Sequence, residues 1–167
     1  IQVAFNTMLA SAKAIEVYKS LNLDGKIGVV LNLTPSYPRS IENPDDVKAA
    51  HIADLFFNNS FLDPSVKGEY PKDLVSLLKE HDVLPQYETE DLEVIKHNTV
   101  DYLGVNYYQP RRIKAKESEV NKDIFMPDWF FDYYKMPGRK MNPHRGWEIY
   151  EKGIYDTCLN IRDNYGN

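Results

Sequence analysis

Apolar residues recur near helical spacing at Val3, Met8, Leu9, Ala12, Ile15 and Val17, with small alanines that permit a neighbouring layer to approach, so the chain is expected to open in a helix. That helix should end at Asn22 to Gly25. Lys26 to Leu33 is then a continuous apolar run bounded by Gly25 and Pro35, the pattern of a strand buried on both faces in a parallel sheet. Pro44, Asp45 and Asp46 start a second helix, because proline pre-sets the dihedral and the acids favour the positive end of the dipole. It should run to about Asn59. Phe61 to Pro71 reads as a loop, punctuated by Asp63-Pro64 and Gly68.

A short helix is predicted over Lys72 to Glu80, and Thr89 with Glu90, Asp91 and Leu92 opens another by a capping pattern. Val100 to Tyr107 forms the second apolar strand. From Gln109 to Arg145 periodicity is weak and Pro110, Pro127, Pro137 and Pro143 interrupt it, which predicts a long loop of the functional or disordered kind. Lys152 to Tyr165 then places Ile154, Tyr155, Cys158, Leu159 and Ile161 on one helical face.

The order is helix, strand, helices, strand, long loop, helix: an α/β chain with two strands and their crossover helices. Two parallel strands cannot bury both faces and both edges, so further strands of a sheet or barrel are expected to flank them. Ile1 begins directly in helical pattern without an initiator Met, which suggests that the chain starts inside a longer protein. Residues 1–167 are read as one internal segment of a single domain. Exposed apolar edges, and with them self-association, are the corollary.

Composition narrows the classes. At 43% hydrophobic and 27% charged residues the chain is an ordinary globular one, and a net charge of −5 with the signs interspersed offers no basic stripe for nucleic acid. Only Arg111 to Lys116 forms a basic cluster, and it is short. The lone Cys158 is read as a core thiol. No apolar stretch reaches the roughly 20 residues that span a bilayer. A reducing cytoplasm is the simplest location.

No glycine-rich phosphate loop, CxxC or HExxH motif occurs, and the histidines at 51, 81, 97 and 144 are scattered, so neither a metal nor a cofactor is expected. The informative run is VDYLGVNYY, Val100 to Tyr108, where an apolar strand ends in an amide and two phenols. Such an ending delivers hydrogen-bonding groups to the rim of a core, where a carbohydrate site can use them. Asn106 carries donor and acceptor, and Tyr108 can donate to an ionised carboxylate and lower its pKa. The bland alternative is that Asn106 satisfies backbone at the strand end and both tyrosines are core rings. Asn32 and Thr34 end the first strand with the same ambiguity. Trp147 closes the long loop, and its indole fits either the apolar face of a sugar or a structural core.

A glycosidase needs two carboxylates about 5 to 10 Å apart. Neither strand ends in Asp or Glu, and Asp63, Glu69 and Asp101 sit where turn or capping roles are more economical. No catalytic carboxylate is therefore assigned within the chain.

Four segments in order, KIGVVLNLTPSYP, FNNSFLDPSVKGEYP, VDYLGVNYY and GWEIYEKGIYD, resemble the middle of glycoside hydrolase family 1, the retaining β-glycosidases. The resemblance implies a TIM (β/α)8 barrel whose general acid/base Glu lies in an NEP motif at the fourth strand and whose nucleophile lies in an ENG motif at the seventh. Neither motif occurs here, so the chain would hold a partial barrel, strands five and six with helices four to six. Tyr108 resembles the tyrosine that hydrogen-bonds the nucleophile, and Asn106 the asparagine beside the acid/base pocket. Trp147 resembles the aglycone-side tryptophan, and Asn32 the fifth-strand amide lining that subsite. LNLTPSYPRS and MPGRKMNPHRGWEIYEKGIYD are similar to the bacterial 6-phospho-β-glucosidases of that family, which implies a phosphorylated β-glucoside substrate. A plain β-glucosidase and a 6-phospho-β-galactosidase are the alternatives within the family. The alternative of another class is a non-catalytic sugar-binding or protein-interaction module with closed edges.

Overall fold

The computed structural model describes residues 1–166. Helix α1 spans Gln2–Ser20, and strand β1, Gly28–Asn32, follows it. The short strand β2, Ser36–Pro38, precedes helix α2, Pro44–Asp54, which Asn43 caps by accepting from the amide of Asp45 at 3.0 Å. A π-helical turn, Leu55–Asn59, leads without a break into α3, Ser60–Val66. Helices α4, Lys72–Glu80, and α5, Thr89–His97, come next, then strands β3, Tyr102–Asn106, and β4, Arg111–Ala115. A 3-10 turn at Pro127–Trp129, strand β5, Phe131–Tyr133, and helix α6, Lys152–Tyr165, complete the chain.

Strands β1 and β3 form one sheet, and β2, β4 and β5 a second in the order β2-β4-β5. In the second sheet β2 runs parallel to β4, with Tyr37 opposite Arg112, and β4 runs antiparallel to β5, with Ile113 opposite Tyr133. Pro38 sits on the edge strand, where its missing N–H costs no ladder bond.

The chain divides into two compact units, residues 1–31 with 59–105 and residues 32–58 with 106–166. In the first, Phe5, Ala12 and Ile95 form the core, joined by Leu9, Tyr70, Leu92 and Val94. Asp101 starts β3 there by exchanging two bonds with Ile27, donating its amide to the carbonyl at 2.8 Å and accepting the Ile27 amide on its carboxylate at 2.9 Å. In the second unit α2 lies on β4, and Ala49, Ala50 and Ala53 allow the close approach. Ile113 and Phe131 are fully buried against those alanines, worth about 1.5–3 kcal/mol each.

Several expectations are corrected. Phe61 to Pro71 is not all loop: helix runs through Asp63-Pro64 to Val66, where burial of Leu62 and Pro64 outweighs one missing backbone donor. The cap of α5 is Glu88, in a box with Asp91, rather than Thr89. The long loop contains β4 and β5. Charge hides this strand, since Arg111 and Arg112 lay their guanidiniums over aromatic rings while Ile113 alone enters the core.

Burial also departs from the pattern. Among the described residues strand β1 has β3 as its hydrogen-bonded neighbour, none of its residues is buried and Val30 is 60% exposed, the open edge expected of two strands without flanking ones. On α1, Val3 and Val17 face solvent while Phe5, Met8, Ala12 and Ile15 are buried. Cys158 is exposed, not a core thiol, because α6 buries Gly153 and Thr157 instead of the stripe carrying Ile154, Tyr155 and Cys158. Small residues win there because a Cβ at Gly153 would run into the Tyr107 phenol. Among the described residues no helix is long and apolar enough to cross a membrane.

Candidate functional site

The ends of β1 and β3 meet through their amides. Leu33 donates its backbone N–H to the Asn106 carbonyl at 2.9 Å, and Asn106 Nδ2 donates to Asn32 Oδ1, also at 2.9 Å. Each side chain commits one group to the other, which leaves Asn106 Oδ1 and both Asn32 N–H donors able to meet a ligand hydroxyl. Two residues on, the Tyr108 ring lies against Trp147, with centroids 5.4 Å apart and planes tilted by 45°. Tyr108 is 54% exposed, so its phenol is open to solvent. Tyr107 turns elsewhere: it donates to the Tyr150 carbonyl at 2.7 Å, and burial, then the charge of Glu148, pushes its phenol up to about 12.

The four sequence-derived residues therefore come together as two pairs, Asn32 with Asn106 and Tyr108 with Trp147. Of the two phenols at this strand end, Tyr107 is half-buried and bonded to backbone, whereas Tyr108 is exposed in this chain.

A backbone hairpin holds Trp147. Asn142 donates its N–H to the Trp147 carbonyl at 2.8 Å, and Ile149 donates to Lys140 at the same distance. Asn142 Oδ1 accepts the amides of His144 and Arg145 at 2.9 and 3.1 Å, and Gly146 takes the positive φ of 67° that closes the turn. The Arg145 guanidinium lies 5.4 Å from the indole.

Sequence reasoning missed the polar network under the β1 end. Asn58 exchanges two 3.0 Å bonds with the Thr34 backbone, and Arg111 Nη1 donates to the same carbonyl at 3.0 Å. Asp54 Oδ1 accepts from Ser36 N–H at 3.1 Å and from Asn58 Nδ2 at 2.6 Å. Burial pushes the Asp54 carboxyl up to about 6, although the hydrogen bonds of Ser36 and Asn58 and the charge of Arg111 pull the other way. No spacing in the sequence announces this network, because its members come from three separated stretches, Thr34 with Ser36, Asp54 with Asn58, and Arg111, that meet only in the fold. The turn at Asn142 had a signal that the loop reading passed over: Asn142 directly before Pro143, with Gly146 shortly after.

Two of the three acids set aside as structural sit in structural places, and the third, Glu69, is exposed. Asp63 is buried with Lys67 at 3.6 Å, and Asp101 is tied to Ile27. Among the described residues no three His, Cys, Asp or Glu side chains converge as metal ligands.

An α/β chain with strand ends furnished by amides and aromatic rings is the class of protein that this geometry defines, and a family match makes it specific. The chain belongs to glycosyl hydrolase family 1, whose model matches residues 1–167. It is 66% identical over its whole length to the 6-phospho-beta-glucosidase GmuD of Bacillus subtilis, of which it covers 36%. The 6-phospho-beta-galactosidase of Clostridium acetobutylicum is 35% identical over 99% of the chain and is covered to 38%. A family 1 b-glucosidase from Thermotoga maritima superposes with a TM-score of 0.77 at 28% identity, over 98% of this chain and 34% of that one. The chain thus spans about a third of the length of the relatives it matches, and its α/β fold is part of their TIM barrel.

Proposed function

We propose that the chain is the middle of a retaining β-glycosidase that hydrolyses 6-phospho-β-glucosides by double displacement, with both reacting carboxylates outside these residues. The observation that carries this reading is the 66% identity over the whole chain to a 6-phospho-beta-glucosidase, well above the 35% to a 6-phospho-beta-galactosidase. In it Tyr108 orients the nucleophile, Asn106 organises the opposite carboxylate, and Trp147 with Asn32 contacts the leaving group. The open Tyr108 phenol and the paired amides at the strand ends support those roles. A closed sugar-binding module fits less well, since Val30 and Tyr102 on the β1–β3 sheet are 60% and 55% exposed.

The test compares two samples on an aryl 6-phospho-β-glucoside. The full-length protein should hydrolyse it with retention of configuration and favour it over the plain and galacto analogues. The purified chain should be silent, and its exposed edge should make it self-associate as concentration rises. Turnover by the chain alone, or preference for an unphosphorylated glycoside by the full-length protein, contradicts the reading.

A further inference from the structure

The buried ion pair between Arg112 and Glu148 has no part in the roles assigned so far, yet Glu148 directly follows Trp147. Arg112 Nε donates to both carboxylate oxygens at 3.2 Å and Nη2 donates to Oε1 at 2.6 Å. The side chains are 10% and 4% exposed, and the rings of Tyr37 and Tyr150 lie 4.9 and 4.4 Å from the guanidinium. Burial disfavours the cation, but the hydrogen bonds and charge of Glu148 outweigh it and hold the guanidinium more firmly protonated than usual.

Stability alone gives little reason for such a pair, because apolar residues of similar volume often serve as well. What the pair adds is direction: a planar guanidinium fork accepts a carboxylate in few orientations. Glu148 also makes a backbone bridge to Met141, so the segment is locally extended and successive side chains alternate in direction. With Glu148 drawn inward to Arg112, Trp147 is sent the other way, onto Tyr108.

We propose that Arg112 is a positioning residue, which clamps Glu148 and thereby fixes the orientation of the Trp147 indole against Tyr108. The consequence for substrate rests on the reading of Trp147 as a leaving-group contact, whereas the clamp itself does not.

Two variants test it, each in a Trp129→Phe background so that Trp147 is the sole indole of the chain's two tryptophans. Arg112→Met with Glu148→Met removes both charges and leaves neither buried alone, and Arg112→Lys keeps the charge but loses the fork. In the purified chain both should raise acrylamide quenching of Trp147 by about twofold, at unchanged far-ultraviolet circular dichroism. In the full-length protein both should raise KM for aryl 6-phospho-β-glucosides by about 3- to 10-fold while kcat stays within about twofold, the mark of lost uniform binding. Wild-type quenching in a folded sample of either variant overturns the clamp. Trp147→Ala separates the two ideas: if that variant leaves KM unchanged, the leaving-group role falls and the quenching result alone judges the clamp.

Discussion

Replacing Tyr108 by Phe in the full-length protein lowers the rate constant for glycosyl-enzyme formation by about 10- to 100-fold, the worth of one hydrogen bond to a charged group. The ring stays, so the contact with Trp147 at 5.4 Å stays with it and the fold is undisturbed. Only the phenolic hydroxyl is lost. In the proposed mechanism that phenol donates to the ionised nucleophile, favouring the charged form and fixing its rotamer. Without it the nucleophile's pKa rises, and the acid limb of the kcat/KM profile moves to higher pH. Presteady-state bursts with aryl 6-phospho-β-glucosides measure the step directly. Unchanged kinetics on both phosphorylated and plain aryl glucosides contradicts the role.

Removing one partner of the buried ion pair gives the largest expected stability effect. Arg112→Ala leaves Glu148, 4% exposed, without its cation, at a cost of about 3–5 kcal/mol. The loss should appear as a lower urea midpoint at unchanged slope. Arg112→Met with Glu148→Met should recover most of it, since no charge is then stranded. An Arg112→Ala midpoint equal to that of the wild type contradicts this account.

Most of the helices and the two apolar strands were legible because their signals are local, whereas α3, read as loop, was not. The run through β1, the apolar stretch through β3 and the Pro44-Asp45-Asp46 start of α2 each state their element within a few residues. What escaped depends on distant partners. Strand β4 reads as a basic cluster, and only Phe57, Tyr37, Tyr150 and Glu148 around its arginines make it an interior strand. The remaining cations of that cluster are matched as well, with Lys114 on Glu117 and Lys116 on Asp132. Asp132 is correspondingly held well below the usual carboxylate range, burial notwithstanding, by the hydrogen bonds of Ser118, Glu117 and Lys116.

Periodicity located α6 but not its buried side. Its apolar stripe is matched by a second stripe of small residues, Gly153 and Thr157, and the packing of Tyr107 selects the second. At the candidate site, residue types at strand ends singled out Asn32, Asn106 and Tyr108 as candidates alongside Thr34 and Tyr107, while the hairpin that brings Trp147 to Tyr108 is a matter of tertiary structure. The supporting ion pair was illegible, since Arg112 and Glu148 are far apart in sequence and neither sits in a motif.

In the proposed enzyme these residues furnish the walls of a cleft whose reacting acids lie elsewhere in the protein. The most direct test is covalent trapping. The full-length protein is treated with a 2-deoxy-2-fluoro-6-phospho-β-glucoside carrying a good leaving group, and the labelled peptide is located by mass spectrometry. The account predicts a single sugar ester on a glutamate outside residues 1–167, formed more slowly in the Tyr108→Phe variant. A label on any acid within the chain, Asp63, Glu69 and Asp101 included, would contradict it.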